Sequence, residues 1–499
     1  MARHPAFRPA FARQDLAASL VVFLVAVPLC IGVAVASGVP AELGLVTGIV
    51  GGLVVGPLPG SRLQVSGPAA GLAVLVHQAV TRFGLPALGV LVLGCGLLQL
   101  AMGALRLGRW FRAISVAVVQ GMLAGIGLVL IAGQLYGLAG VPAPGGLGVL
   151  TGLPALVRRT LGTPSALVPV AMAAGTVLML VLWQRLPARL RLVPAPLVAV
   201  VLASVVTAAV PLRLPTAGVH GLLGAVRPLW ADGAGGAARL GMLGTVLAFA
   251  LIASAESLFS AAAVDRLHDG PGTDYDRELM AQGIGNTVCG LLGALPMTAV
   301  IVRSSANVRA GARTRASRVL HGCWLLLFAA LLPGVLGLIP LAALAGVLIH
   351  AGAKLVPVGP LAVLWREHRG EAAVLVATAS AVMATDLLEG VLLGLLLAVV
   401  KCAWETSQLQ VEVADEPGAA IRVTLSGSAT FLRLPGMLAT LERLPRDRPV
   451  TLDLAGLRYL DHACRTALQD WAARQNTQDV AALPAAPTTP VAPAAPVAQ

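Results

Sequence analysis

Two apolar segments of the chain are interrupted at matching places in its two halves, and this pattern restricts the fold more than any other feature. Residues 64–71 read QVSGPAAG and residues 301–307 read IVRSSAN. Each pattern predicts a few extended residues followed by the start of a helix. Hydrocarbon excludes such a backbone unless it lines a cavity inside protein. Paired interruptions of this kind are typical of the binding site of a secondary transporter.

The composition predicts an integral membrane protein. Of the 499 residues, 57% are hydrophobic and only 12% are charged, and the mean hydropathy is +0.85. Apolar stretches of about 17 to 25 residues recur between Leu16 and Val400 and predict about fourteen membrane crossings. We assign about seven to residues 15–213 and about seven to residues 239–405, which places the breaks on the third and tenth crossings. The expected fold is an all-α polytopic membrane protein.

The formal net charge of +12 comes from cations in short loops rather than from a basic stripe, so it does not indicate nucleic-acid binding. The positive-inside rule assigns their side of the membrane to the cytoplasm. The N-terminus is expected on that side. Because the number of crossings is even, the C-terminus is expected there as well. Arg158, Arg159, Arg213 and Arg227 are exceptions in longer loops. The residues that set this orientation are Arg3, Arg8, Arg13, Arg106, Arg109, Arg112, Arg185, Arg189, Arg191, Arg309, Arg313, Arg315, Arg318, Lys354, Arg366 and Arg369.

The two breaks carry the candidate anion ligands. A helix N-terminus has free N–H groups and a partial positive charge of about half a unit, which attract anions. Pro68 suits a first helical turn, where its missing N–H costs nothing. Ser304, Ser305 and Asn307 could instead cap the second half-helix, and the first break could be a simple kink. The candidates for substrate binding are Ser66, Gly67, Ala69, Val302, Arg303, Ser304 and Ser305.

Three charged residues of the apolar segments have candidate roles. Charged side chains inside a membrane are costly and usually line a cavity or meet a partner. Arg303 is therefore the main candidate for anion binding, with snorkelling to the interface or pairing with a carboxylate as the alternative. Glu256, in the predicted eighth span, is a candidate proton carrier or cation partner, or else a structural partner of an arginine. Glu42, which follows Pro40, is a weaker candidate for proton coupling and is more typical of an interfacial position.

No sequence pattern indicates catalysis or a bound metal. His77, His220, His321 and His350 are dispersed without the spacing of metal ligands, and we interpret them as packed or interfacial residues. The sequence contains no nucleophile elbow, phosphate-binding loop or carboxylate pair for hydrolysis. We therefore expect a protein that is not an enzyme and needs no cofactor.

The composition changes near residue 406. Residues 409–413, 421–425 and 450–454 alternate with a period of two, which predicts half-buried strands. Residues 434–444 and 463–473 are predicted helices, so residues 406–476 are expected to form a small cytoplasmic α/β domain. An Ala/Pro-rich tail at 477–499 cannot bury enough surface to fold and is expected to be disordered. Residues 1–14 are expected to form a short cytoplasmic arm.

In the residues of its two breaks and in the motifs around them, the chain resembles the sulfate permease (SulP) family, the bacterial relatives of the animal solute carrier anion exchangers and of prestin. The resemblance covers residues 15 to about 404, and more weakly the following domain. In the first half it rests on Asp15-Leu16, Pro28, Ser37-Gly38-Val39-Pro40, Gly44, Gly60-Ser61 and Ser66-Gly67-Pro68-Ala69-Ala70. In the second half it rests on Glu256-Ser257, Glu278-Leu279, Gly283, Asn286, Pro296, Arg303-Ser304-Ser305-Ala306-Asn307 and Gly311-Ala312-Arg313-Thr314.

The resemblance implies two inverted repeats of seven helices, arranged as a core domain and a gate domain, with the anion held between the third and tenth helices. It also implies dimers in a bacterial inner membrane and a cytoplasmic domain of the sulfate-transporter-and-anti-sigma-factor-antagonist (STAS) type. Arg303 and its neighbours match the family's anion site, and Glu256 matches its eighth-span carboxylate. Leu29 stands where relatives often have a polar residue, and Val33 stands where many have an aromatic residue.

The C-terminal domain also departs from the family pattern. Asp461-His462-Ala463 lacks the serine that is phosphorylated in antagonist proteins, and the domain stops early, before the proline-rich tail. The missing serine argues against a phosphorylation switch at this position.

The expected function is proton-coupled or, as a weaker alternative, sodium-coupled symport of a small anion by alternating access. Sulfate, bicarbonate and dicarboxylates such as fumarate or succinate are the candidate substrates, and a divalent anion suits two helix ends plus Arg303. The other partners are membrane lipid and a second copy of the chain. The alternatives are an exchanger, a channel, a nucleobase permease of the same architecture, or a membrane-anchored signalling protein.

Overall fold

The computed structural model describes residues 9–109, 115–187, 193–210, 214–219, 221–226, 239–415, 420–445 and 448–475. The predicted tail at 477–499 lies outside these ranges, as does residue 220. The same is true of Arg3, Arg8, Arg112, Arg189, Arg191, Arg213 and Arg227, so the orientation that they predict stays a prediction. The first helix begins at Pro9, within the predicted arm, and the bounds of that arm stay a prediction.

The first part of the chain is almost entirely helical. In order, its elements are α1 (Pro9–Ala36), α2 (Ala41–Val50) with a π-helical turn (Gly51–Val55), β1 (Ser66–Pro68), α3 (Ala70–Phe83), α4 (Leu85–Ala104), α5 (Val116–Leu138), α6 (Gly148–Thr151), α7 (Leu153–Leu161), α8 (Pro164–Trp183), α9 (Ala195–Ala209) and α10 (Leu222–Ala225).

The second part repeats the arrangement of helices around one short strand. Its elements are α11 (Arg239–Asp265), α12 (Tyr275–Leu291), β2 (Met297–Ala299), α13 (Ile301–Arg309), α14 (Ala316–Leu331), α15 (Pro333–Gly337), α16 (Leu341–Leu355), α17 (Val358–Glu367), α18 (Arg369–Ala384) and α19 (Leu387–Thr406).

Seven helical segments among the described residues are long and apolar enough to cross a membrane, and they contain 20 to 27 residues. A helix of about 20 residues is about 30 Å long, which matches the hydrocarbon thickness. Three further apolar helices are shorter. The half-helices α3 and α13, with 14 and 9 residues, cannot cross alone. The fold is that of a multi-pass membrane protein, and the total of about fourteen crossings stays a prediction.

Helices α4 and α12 pack closely because glycines lie at their interface. A Cβ atom added to Gly96 would collide with the backbone of Thr287, and one added to Gly290 would collide with the backbone of Leu93. Small residues allow such close approach where lipid supplies no hydrophobic force between helices. This packing fixes α12 beside the two short strands.

The chain divides into two compact units, Met1–Leu395 and Leu396–Gln499. In the second unit, β3 (Leu409–Ala414) pairs antiparallel with β4 (Ile421–Ala429), which pairs parallel with β5 (Val450–Leu460). Helices α20 (Leu434–Leu441) and α21 (His462–Arg474) bury Met437, Leu441, Leu468 and Trp471 against alternate strand residues such as Ile421, Val423 and Leu425. Because alternate residues share a face, both helices cover the same face of the sheet. The domain is α/β, as its sequence predicts.

Asp461 stabilises the start of α21, and its replacement should weaken this domain. Its Oδ1 accepts a hydrogen bond from the Cys464 amide at 2.7 Å, and its Oδ2 accepts one from the Phe431 amide. Partial burial opposes ionisation, but these amides outweigh it and lower the pKa of the carboxyl group. Asp461→Ala should destabilise the domain by about 1 to 2 kcal/mol at neutral pH, and Asp461→Asn should cost less.

Hydrogen exchange of the α21 amides in the full-length protein measures this loss. Because the pKa is lowered on folding, the ionic stabilisation is present above the unfolded pKa of about 4 and disappears as the pH falls through the folded value. Equal exchange rates in Asp461→Ala and the parent at neutral pH would contradict the assignment.

Candidate functional site

The two interrupted segments meet as a pair of short antiparallel strands. Ser66 of β1 lies opposite Ala299 of β2, and Pro68 lies opposite Met297. The Val300 amide continues the pairing by donating to the Val65 carbonyl at 3.0 Å. Each strand leads directly into a half-helix, and because the strands are antiparallel, α3 and α13 begin at opposite ends of the strand pair.

The structure corrects two boundaries of the predicted breaks. The extended residues of the second break are Met297–Ala299, and all of residues 301–307 are helical. Pro68 lies in β1 rather than in the first turn of α3, because pairing with β2 keeps the backbone extended up to Ala69. The half-helices therefore begin at Ala70 and Ile301.

Neither half-helix has a side-chain cap. The N-cap residues, Ala69 and Val300, have no side chain that can accept a hydrogen bond from the first turn. The alternative that Ser304 and Asn307 cap α13 is wrong, because the Ser304 hydroxyl accepts from the Val65 amide and the Asn307 amide donates to the Leu63 carbonyl. The first amides of both helices are thus available to an anion.

A cavity of about 90 Å³ lies at these two helix starts. A cavity needs about 10 to 15 Å³, measured in the same way, to hold one water molecule, so this one has space for a small ligand. Much of the wall is apolar and comes from α1, α5, α11 and α16, including Leu29, Val33, Met122, Phe259 and Leu355. Residues at the two breaks and two charged side chains also line the cavity, and they are Pro68, Ala70, Gly71, Glu256, Ile301, Val302 and Arg303.

Arg303 is completely buried at the edge of this cavity. Its Nη2 donates to the Pro68 carbonyl at 3.2 Å, while its Nε and Nη1 have no hydrogen-bond partner among the described residues. A Cβ atom added to Gly67 would collide with Nη1, so the guanidinium depends on a glycine at that position. Full burial excludes the snorkelling alternative. No carboxylate in the described ranges forms an ion pair with Arg303.

Glu256 faces the same cavity from α11. Both carboxylate oxygens lie 3.0 Å from the position that a Cβ atom of Gly71 would occupy, which places them beside the first turn of α3. Its Oε2 accepts no hydrogen bond from the part of the chain that the structure describes. The partial positive charge of the helix start favours a carboxylate at this place. Glu256 therefore occupies one side of the position that an external anion would take.

The other predicted site residues build the wall behind the cavity. Ser66 accepts a hydrogen bond from the Gln282 side chain at 2.7 Å, and Ser305 accepts one from Arg309 at 3.3 Å. Ser66, Gly67, Ala69, Ser304 and Ser305 do not line the cavity. Glu42 lies in the first turn of α2, is 6% exposed, and does not line it either.

A polar face of α12 holds both strands in place. Its residues Glu278, Gln282 and Asn286 are spaced by four, so they lie on one side of the helix. Glu278 accepts from the Ser61 amide at 2.8 Å and Gln282 donates to Ser66, while Asn286 donates to the Met297 carbonyl at 3.0 Å and accepts from the Met297 amide at 2.7 Å. These bonds satisfy backbone groups that have no water to bind.

Arg318 is a buried structural residue rather than a loop cation. It is 1% exposed, and its guanidinium donates to the carbonyls of Ser61 and Val55. The side of the membrane on which it lies stays a prediction. The spacing of residues 278, 282 and 286 was a sequence signal for the polar face, whereas Arg318 gave no signal that separated it from its neighbours.

Asn286→Leu is expected to destabilise the fold strongly. The substitution keeps the number of side-chain heavy atoms but removes the two bonds to Met297 and a third to Gln99 at 2.8 Å. Buried polar groups that lose their partners cost about 1 to 3 kcal/mol each. The detergent-solubilised protein should therefore unfold several degrees lower. Thr287→Ser is the matched control, and equal unfolding temperatures in the two variants would contradict this role.

Comparisons with known proteins agree with this architecture. The family model described as "Sulfate permease family" matches residues 12–378. The chain is 28% identical over 391 residues to "Putative sulfate transporter YvdB" of Bacillus subtilis (strain 168), covering 78% of this chain and 73% of that protein. It is 27% identical over 375 residues to "Bicarbonate transporter BicA" of Picosynechococcus sp., covering 69% and 62%.

Two solved structures share the fold. The transmembrane domain of a cyanobacterium bicarbonate transporter BicA has a TM-score of 0.67 and 24% identity, covering 79% of this chain and 98% of that chain. The overall structure of SLC26A9 has a TM-score of 0.77 and 15% identity, covering 95% and 85%.

Proposed function

Because this chain belongs to the sulfate permease family of anion transporters, we propose that it is a secondary transporter that carries a small anion together with a proton. The observation that supports this most strongly is the meeting of two uncapped helix starts at one cavity beside a buried arginine. Their free N–H groups and partial charges favour a bound anion, and Arg303 adds a full positive charge.

The size of the cavity favours a compact oxyanion as the substrate. A cavity of about 90 Å³ accommodates a small oxyanion such as sulfate or bicarbonate. Two helix ends and one arginine neutralise a divalent anion better than a monovalent one, so sulfate is the substrate that we propose first. Bicarbonate is the second candidate, which the likeness to a bicarbonate transporter favours.

The position of Glu256 supplies a mechanism for coupling to protons. Its carboxylate lies beside the first turn of α3, where it repels a second anion and competes for the same helix start. A bound proton neutralises this carboxylate and removes the competition. Anion and proton then bind together, which is the condition for symport. Sodium beside the carboxylate is the alternative coupling ion.

A second cavity supports alternating access. It has a volume of about 690 Å³. Helices α3 and α5, which also line the first cavity, contribute His77, Arg82 and Gln134 to its wall. The two cavities therefore follow each other along α3 and α5. We propose that a core domain carrying the breaks moves past a gate domain, so that the anion bound in the first cavity is exposed first to one side of the membrane and then to the other.

The remaining family features are also proposals. They are two inverted repeats of seven spans, an inner-membrane location with both termini in the cytoplasm, assembly as dimers, and a C-terminal domain of the STAS type. The order of short strand and half-helix in both halves supports the repeats. The α/β architecture of the second unit supports the domain type.

Uptake by proteoliposomes tests the proposed function. Labelled sulfate, bicarbonate, fumarate, succinate and uracil are supplied with an inward proton gradient, an inward sodium gradient or neither. We expect accumulation of sulfate above its external concentration only with the proton gradient. Equilibration without accumulation would indicate a channel, and uracil uptake would indicate a nucleobase permease; either result would overturn the proposal.

A further inference from the structure

Three large aromatic side chains of the second compact unit are more than half exposed. Trp404 lies near the end of α19, Phe431 follows β4, and Tyr459 lies in the last part of β5. Their exposed fractions are 55%, 65% and 53%. The proposed transport mechanism uses none of them. Soluble proteins seldom expose apolar side chains as a group, so such a group usually marks a surface that contacts a membrane or another protein.

The strand register places Phe431 and Tyr459 at one end of the three-stranded sheet. Strands β4 and β5 are parallel and end together, where Ser428 pairs with Tyr459. Strand β3 begins at the same end, because its first residue pairs with a residue near the end of β4. The Phe431 amide donates to the Asp461 carboxylate just after β5. This bond fixes the turn that follows β4 beside the end of β5.

This end of the sheet adjoins the end of the last apolar helix. The Arg433 guanidinium lies over the Trp404 ring, 4.6 Å from its centroid, and its Nε donates to the Ser407 carbonyl at 2.6 Å. Helix α19 is long and apolar enough to cross a membrane. A tryptophan near the end of such a helix is typical of the membrane–water interface. Phe431, two residues before Arg433, therefore lies close to the level of the lipid headgroups.

The charge at this end of the domain suits an acidic bilayer surface. Arg433, Arg458 and Arg465 lie on the turn, the strand and the helix start that surround the two aromatic side chains. Asp461, at the same end, is bound by two backbone amides. Acidic headgroups attract arginine side chains near a bilayer, and aromatic side chains favour the headgroup level. Both effects favour the same orientation of the domain.

We propose that this end of the C-terminal α/β domain is a membrane-contact surface. Phe431 and Tyr459 enter the headgroup region of the bilayer, and Arg458 and Arg465 face acidic phospholipid headgroups. Arg433 joins this surface to Trp404 at the end of α19. The contact thus holds the domain against the membrane that its own helix enters, and it removes the exposed aromatic side chains from water.

Spin labels on the full-length protein in nanodiscs test this contact. In a variant without native cysteines, a label is attached at Phe431→Cys, Tyr459→Cys or Val413→Cys. Its collision rates are measured with oxygen, which concentrates in the bilayer, and with a water-soluble nickel chelate. Val413 is the matched control, since it is an exposed apolar residue on β3 about 13 Å further from this end of the sheet.

In nanodiscs that contain phosphatidylglycerol, the ratio of oxygen to nickel collisions at positions 431 and 459 should exceed the ratio at 413 at least about fivefold. Replacing phosphatidylglycerol with phosphatidylcholine should lower the ratio at 431 at least about twofold, and so should Arg458→Gln. Ratios that neither change affects would overturn the role of acidic headgroups.

Similar ratios at all three positions would overturn the proposal, because they would place this end of the domain in water. Labels at 431 and 459 that are shielded from both reagents would also overturn it, because protein rather than lipid would then cover the surface. Thermal unfolding in detergent reports the folding of each variant. The two label positions are independent, so a misfolded variant at one position leaves the other to decide.

Discussion

Arg303→Ala is expected to abolish proton-driven anion accumulation, with a fall of at least about 100-fold in the initial rate of uptake. The substitution removes a fully buried positive charge beside the two helix starts, while the Glu256 carboxylate remains in the same cavity. A charge-assisted interaction of about 3 kcal/mol corresponds to this factor. Uptake of labelled sulfate by proteoliposomes measures the loss.

Two controls separate the charge of Arg303 from its shape and from general damage. Arg303→Lys keeps the charge but not the planar fork, so it should retain part of the uptake. Arg158→Ala changes an arginine on the exposed face of the short helix α7 and should leave uptake within about twofold. A folded Arg303→Ala protein that accumulates sulfate like the parent would remove Arg303 from the site.

Glu256→Gln is expected to uncouple transport from protons. Glutamine resembles the protonated carboxyl group, so it should no longer compete for the start of α3 and no longer take up a proton. Exchange of internal for external anion should continue, but a tenfold proton gradient should no longer produce accumulation, and the rate should lose its dependence on pH. Counterflow and net uptake, measured on the same proteoliposomes, distinguish these two activities.

Glu389→Gln, at an exposed position in the first turn of α19, is the matched control and should stay coupled. Proton-driven accumulation that persists in Glu256→Gln would show that another group carries the proton. Loss of exchange as well as accumulation would assign Glu256 to anion binding rather than to coupling.

The sequence predicted the interruption of two spans because the signal is local. Glycine, proline and polar residues in an apolar segment oppose a continuous helix wherever they occur, so positions 64–71 and 301–307 were identified without knowledge of packing. The exact boundaries were less accurate. Met297–Ala299 contains no glycine or proline and becomes extended because Asn286 and β1 bind its backbone. That pairing is a tertiary effect.

The side chains that complete the site depend on helix packing and were harder to identify. Ser66, Ser304 and Ser305 are at the breaks, yet they do not line the cavity and instead form hydrogen bonds with Gln282, Val65 and Val302. The placement of Glu42 outside the cavity depends on how α2 is rotated, which sequence periodicity does not fix in a helix buried on nearly all sides.

The account depends most on an anion bound at the starts of α3 and α13. Single cysteines at Ala70, Val302 and Thr81, in a variant that lacks the native cysteines, allow the most direct measurement: the rate of thiol labelling with and without the transported anion. A saturating anion should slow labelling at positions 70 and 302 by about tenfold, over the concentration range of its KM, and leave position 81 in the larger cavity unchanged. Labelling that the anion slows only at position 81, or at none of the three, would contradict the account.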